Sequence, residues 1–423
     1  MKKAIFVLIL VLILTIASAV SFAEGGINVR IDSENVVFND EIGMPFIDEN
    51  SRTQVPFRMT LESFGAEVLW NNETRTAIAK KGDITVEVPI GEKFILKNGE
   101  KVENDTVAVI KGDRTYLPIR KVIEAFASEV QWDADERTVV ITTEPIDSRK
   151  ILLDSYAKSY EWKSQDINLK MNISMPVPNE LGVIQEMKMV LDMKMSAFKD
   201  PMKVKATANM LIEDGEEVIT QPVMEMYYVV EDDKFTTYMG MYDQLGVLNW
   251  TQSSMENEMI SEMLKNDVEK NMELNEQAIK DVKYLGKYLD EKGRNSLKFE
   301  NTTSFEAYTE IMGGYMDMLS ASSKQEDILA ADMLANMKDF TFFIYVDEET
   351  GEISKYKMDL SSLMTSMFSG MTEGEALPKE ALEMLKSIKM NMVMDMVNIN
   401  AAEDFIIPKE ALNAPVMEET LGE

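Results

Sequence analysis

The chain reads as an α+β protein: two small α+β repeat modules followed by a large antiparallel β half-barrel covered by helices. Three observations predict this. A stretch of 25 residues starting at Arg114, RTYLPIRKVIEAFASEVQWDADERT, repeats one starting at Arg52, RTQVPFRMTLESFGAEVLWNNETRT, with 11 identities. Within each copy the apolar period switches from helical to two. From residue 150 onward, long stretches alternate apolar and polar residues, and that part holds 31 of the 34 methionines.

The first element is a leader. In MKKAIFVLILVLILTIASAVSFAEGG, Lys2 and Lys3 precede an apolar run from Ala4 to Val20, and Ser21 and Ala23 supply small residues. This is the pattern of a signal peptide, residues 1–23, cleaved after Ala23, and it implies a secreted protein. An uncleaved anchor is the alternative, because the run approaches the length of a membrane span. No cysteine is present to make a lipoprotein. With 43 basic and 74 acidic residues the net charge is −31. Such a chain repels nucleic acid and anionic headgroups, so no nucleic-acid partner is expected. Without cysteine, stability must come from burial, and 45% hydrophobic residues suffice for two or three cores. The expected domains are 24–145 and 146–423.

In the first copy Phe57, Leu61 and Phe64 make a helical stripe; in the second, Ile119, Val122, Ile123 and Phe126 do. Pro56 and Pro118 stand where a helix start tolerates proline. Gly65 is placed to end the first helix. Arg58 with Glu62, and Arg120 with Glu124, have the spacing for surface ion pairs. Val68 and Trp70 before the turn NNET, and Val130 and Trp132 before DADE, predict hairpins that lay a tryptophan against each helix. More strand is expected at 28–38, 84–88 and 94–96.

The patterns VPFR…ESFGAEVLWNNETRT and LPIRKVIEAFASEVQW resemble the copper amine oxidase N-terminal-like domain, in tandem over about residues 27–143. Ala127-Ser128 departs from Gly65-Ala66 of the first copy. The oxidase catalytic domain uses three copper-binding histidines and a tyrosine-derived quinone, and this chain has no histidine. The resemblance therefore implies an accessory domain, not an enzyme, with the cell wall or another envelope component as partner.

After EPIDSRK, Leu152, Leu153, Tyr156, Ala157 and Tyr160 predict a helix. Four alternating runs follow: Ile167 to Met175, Met187 to Met195, Met202 to Met210, and Met224 to Val230. They describe an antiparallel sheet wet on one side and apolar on the other. Met259, Ile260, Met263 and Leu264 suggest a helix, as do residues 304–337. KYLGKYLDEKGRNSLKFE reads as a hairpin turning near Gly293, and FTFFIYVDEETGEISKYKMDL as another. Residues 361–380 read as a connection or lid. Ile388, Met390, Met392, Met394 and Met396 mark a last strand.

This order of elements is similar to the LolA-type half-barrel of bacterial lipoprotein carriers, over about 150–415. The resemblance implies a concave apolar face that takes a lipid or the acyl chain of a lipoprotein. The residues expected to touch it are Met171, Met189, Met193, Met226, Met392 and Met394. Methionine suits both cores and adaptable binding surfaces, so a structural protein with a filled core is the competing reading. Thioether binding of copper(I) is a third, but the methionines lie on apolar strand faces and histidine is missing, so no metal or cofactor is expected. Asp133, Asp135 and Glu136, like Asp347, Glu348 and Glu349, read as solvated turn acids without calcium-loop grammar. No nucleophile elbow, phosphate loop or zinc spacing points to an enzyme.

Overall fold

The computed structural model describes residues 26–178, 184–214, 217–231, 234–243, 245–256, 268–290, 293–307, 337–369 and 379–416. The leader, the expected helix at 259–264 and most of 304–337 lie outside them. The chain divides into two compact units. One comprises residues 149–282 and 300 onward; the other comprises the N-terminal part to Ser148 together with Lys283–Phe299.

The N-terminal unit is built from β1 (Asn28–Ile31), β2 (Glu34–Asn35), β3 (Phe46–Ile47), β4 (Thr53–Pro56), α1 (Phe57–Ser63), β5 (Glu67–Asn71) and β6 (Thr76–Lys81). These are followed by β7 (Ile84–Pro89), β8 (Phe94–Lys97), β9 (Glu100–Glu103), β10 (Val109–Lys111), β11 (Arg114–Pro118), α2 (Ile119–Ala125), β12 (Glu129–Asp133) and β13 (Thr138–Thr142). The two copies repeat the order strand, helix, hairpin. They meet through equivalent residues. β4 and β11 pair antiparallel with Val55 opposite Leu117, and the Phe64 and Phe126 rings stand 5.6 Å apart. Each of these pairs joins positions that correspond in the repeat, so the copies are related by a local two-fold. One apolar core runs through both, from Val55 and Leu61 to Leu117 and Ile123. A module of half this size is near the lower limit for folding alone, and the shared core adds burial.

Both helices follow the expected prolines. Gly65 closes α1 at φ +84°, and Ala127 holds the matching place after α2 at φ +58°. The expected surface pairs split. Arg58 meets Glu62 at 3.2 Å, but Arg120 Nη1 donates to the Val130 carbonyl at 2.6 Å, and Lys121 takes Glu124 at 2.7 Å. A long guanidinium reaches across to the next strand, where a carbonyl needs a donor. Trp132 packs against the core, whereas Trp70 is 38% exposed and does not fulfil the role expected of it.

The C-terminal unit starts with α3 (Ser148–Ser159). Then come β14 (Ser164–Pro178), β15 (Ile184–Lys199), β16 (Met202–Asp214), β17 (Glu217–Glu231), β18 (Lys234–Tyr242), β19 (Leu248–Glu256), α4 (Val268–Ala278), β20 (Ile279–Leu289), β21 (Asn295–Thr303), β22 (Phe340–Asp347) and β23 (Ile353–Asp359). The last elements are α5 (Ser361–Ser369), α6 (Lys379–Ser387), β24 (Lys389–Val397) and α7 (Lys409–Leu412). One curled sheet of eleven strands runs β19-β18-β17-β16-β15-β14-β24-β23-β22-β21-β20. Both late hairpins form as expected, with Gly293 and Gly351 in their turns at φ +78° and +70°. Residues 283–299, at the turn end of β20–β21, group with the N-terminal unit.

Two features differ from the sequence reading. Residues 361–369 are not a loose connection but helix α5, with Leu363 and Met364 buried. The outer face of the sheet is not uniformly wet. Phe198, Tyr227 and Trp250 gather there with Phe405 of the C-terminal segment, at centroid distances of 5.7–5.8 Å. Gln252 holds that segment in place through the Ala414 and Pro415 carbonyls.

A left-handed backbone costs a non-glycine residue about 1–2 kcal/mol, and Ala127 is exposed. Ala127→Gly should therefore stabilise the N-terminal unit by up to about 1 kcal/mol, and Gly65→Ala should cost about as much. Calorimetry of the full chain checks both signs; an unchanged or lowered transition for Ala127→Gly contradicts the argument.

Candidate functional site

Strand alternation builds the site. A residue on one strand faces the same way as its pairing partner, so the register converts alternation along each strand into rows across the sheet. One row reads Tyr356, Met394, Leu169, Met193, Ala208, Met224 and Met241. The next reads Met358, Met392, Met171, Leu191 and Met210. A third joins Met390, Ile173, Met189 and Ile212, and a fourth joins Met396, Ile167, Met195, Ala206, Met226 and Met239. All six methionines expected to touch a ligand fall on this one face.

They differ in depth. Met171 and Met392 are 1% and 8% exposed, inside a cluster with Leu169, Ile173, Leu191, Met390 and Leu360. Leu363 and Met364 of α5 belong to the same cluster. Backbone bonds fix α5 there: Leu360 N donates to Met390 O at 2.7 Å, and Met390 N donates to Ser361 Oγ at 2.6 Å. Met189, Met193, Met226 and Met394 are only partly buried against the cluster. Half of the face is thus packed core, and the other half remains partly open.

The face has few polar groups. Tyr228, on β17 beside Phe235, is buried and its hydroxyl has no partner among the described residues; burial pushes its phenol up to about 12. Tyr227, on the outer face, is raised further by burial and by its bond to Glu225. At Val223 a bulge interrupts β17, since Met224 pairs with Ala208 but Pro222 with Asn209. Proline cannot donate to the ladder, and the extra residue turns the strand end.

The N-terminal unit holds two further features. A cleft of about 840 Å³ is lined by Arg52, Asn104, Pro118, Arg120, Gln131 and Trp132, among others. It draws residues from both copies. The second feature was not anticipated. Lys298 is fully buried, 2.8 Å from Asp133 and 3.1 Å from Asp135, with Glu136 at 3.5 Å. Arg30 closes the group by pairing with Glu136. Asp133 and its neighbours are therefore not solvated turn acids: Asp133 is 0% exposed. Burial pushes its carboxyl above the usual range, against the opposing pull of Lys298. The other acidic turn is a local structure, in which Asp347 Oδ1 accepts the Glu349 and Thr350 N–H groups. Sequence offered no sign of the Lys298 group, since one lysine on a strand ordinarily faces water.

A family profile described as the copper amine oxidase N-terminal domain matches residues 30–141. That single match spans both copies and covers well under half of the chain. Comparison with curated proteins returned no match. Among solved structures, a DUF1329 family protein from Desulfovibrio piger aligns with 62% of this chain and 96% of that one, at 10% identity and a TM-score of 0.18. A likeness that slight bears on neither fold nor function.

Removing one member of a buried ion pair strands the other, at a cost of about 3–5 kcal/mol. Lys298→Met should destabilise the N-terminal unit by that order, and adding Asp133→Asn should recover part of the loss. Denaturant unfolding of the single and double variants tests this; losses that simply add would show that the two groups are not coupled.

Proposed function

We propose that the chain is an exported, non-enzymatic envelope protein. Its N-terminal unit associates with the cell surface, and its C-terminal sheet binds an apolar ligand, a lipid or an acyl chain, on the methionine face. The observation that carries the ligand reading is the arrangement of Met189, Met193, Met226 and Met394. They lie on one face of a curled sheet, beside a packed core yet not fully covered by it. Thioether side chains are flexible and polarisable, so they can repack around chains of different shape. The resemblance of the element order in the sequence to lipoprotein carriers supports the same reading. Export is supported by the apolar leader and its small residues at 21 and 23. Surface association is supported by the match to an accessory domain and by the cleft at Trp132, where an aromatic plane lies among amide and guanidinium donors.

Binding of the fluorescent fatty acid cis-parinaric acid tests the ligand reading. The wild-type chain should bind it with micromolar affinity or better. Met193→Lys, which sets a charge in the middle of the face, should weaken binding at least about ten-fold while leaving the circular dichroism spectrum intact. A wild-type chain that leaves the probe dark at millimolar concentration sinks the reading and leaves a structural protein with a filled core.

A further inference from the structure

Asn301 on β21 is 1% exposed, and among the described residues neither its amide nitrogen nor its amide oxygen has a hydrogen-bond partner. Its position is fixed by its neighbours. The Thr302 and Thr341 hydroxyls meet at 2.8 Å across β21 and β22. Asn301 and Phe342 each stand one residue from that contact and face the opposite way. Phe342 pairs with Met358, Met358 with Met392, and Met392 with Met171. Asn301 therefore faces the side of the sheet that carries the methionine rows, on the strand next but one to β23. Thr303 faces the same way two residues on, and its hydroxyl is satisfied by the Ala278 carbonyl at 3.2 Å. Of these two residues only Asn301 is left unsatisfied, and it is unsatisfied at both polar atoms.

A buried amide with both halves unpaired is rare in a folded protein and calls for an explanation. Leucine has the same branching pattern, though it is bulkier, and would carry no such penalty. An orphaned donor beside an orphaned acceptor is complementary to one kind of group: one that presents a carbonyl oxygen next to an N–H or O–H. Resting on the reading that the methionine face takes an apolar chain, we propose that Asn301 binds the head of that ligand, and that the ligand is a long-chain amide or carboxylic acid. Asn301 Nδ2 donates to the head carbonyl, and Asn301 Oδ1 accepts from the head N–H or O–H. An ester satisfies Nδ2 alone. An alkane satisfies neither atom, and an ionised carboxylate gives Oδ1 nothing to accept.

The test compares dodecanamide, methyl dodecanoate and dodecane on the full chain, as competitors of bound cis-parinaric acid. In the wild type the amide should bind roughly ten-fold tighter than the ester, and the ester tighter than the alkane. In Asn301→Leu the amide should lose at least that factor, the three ligands should converge, and the alkane should bind as well as before. Urea unfolding should show the variant still folded cooperatively, because the gain from removing an unpaired polar group offsets the strain of leucine's extra volume. If Asn301→Leu keeps the preference for the amide, the assignment is wrong and the apolar reading of the face stands. If the variant weakens all three ligands equally, Asn301 acts on the fold and not on the head. If the wild type binds none of them, and no fatty acid, both readings fall together.

Discussion

Strand β24 holds the C-terminal sheet together. Strands β14 to β19 form one meander and β20 to β23 another, and β24 lies between β14 and β23 with a ladder on each side. Asp166 pairs with Val397, so the sheet closes only when residues more than two hundred positions apart come together. Closing such a loop costs entropy before any contact repays it. Burial on both sides of the ladder supplies the return: Met390 and Met392 are buried with Ile173 and Met171 opposite them. The methionine face is continuous because β24 is in place, and everything proposed for that face depends on it.

Methionine is an unusual choice for a strand, where branched side chains fit the pleat better. Its use here is consistent with a face that is partly core and partly surface. Where α5 covers the rows, thioethers fill gaps among Leu360, Leu363 and Ile388. Where the rows run toward β15 and β17, the same side chains are half-exposed and free to adapt. Against this apolar field, the bare amide of Asn301 is a local inconsistency of the kind that functional sites keep. The N-terminal unit follows a different plan. There a two-fold relation sets Val55 against Leu117 and Phe64 against Phe126, so that two short copies make one core.

Much of this was legible in the sequence. Alternation located the long strands and the shared face of Met171, Met189, Met193, Met226, Met392 and Met394, because period two and antiparallel register leave little freedom. The repeat located both helices and both hairpins. Contacts between distant segments were not legible. Lys298 looks like an ordinary strand lysine until Asp133 is brought 2.8 Å from it. Arg120 has a glutamate four residues on, yet prefers a carbonyl on the next strand. Phe198, Tyr227 and Trp250 sit at polar-side positions, and only the C-terminal segment with Phe405 explains why apolar rings are tolerated there. The stretch SSLMTSMFS carries weak helix formers, and its helix depends on bonds to Met390 rather than on propensity.

The most direct test of the central claim is native mass spectrometry of the full chain purified from a secreting host. The account predicts an added mass of a few hundred daltons that leaves on organic extraction and returns on incubation with a long-chain amide or acid. A chain of bare mass, unchanged after incubation with lipid, would contradict it.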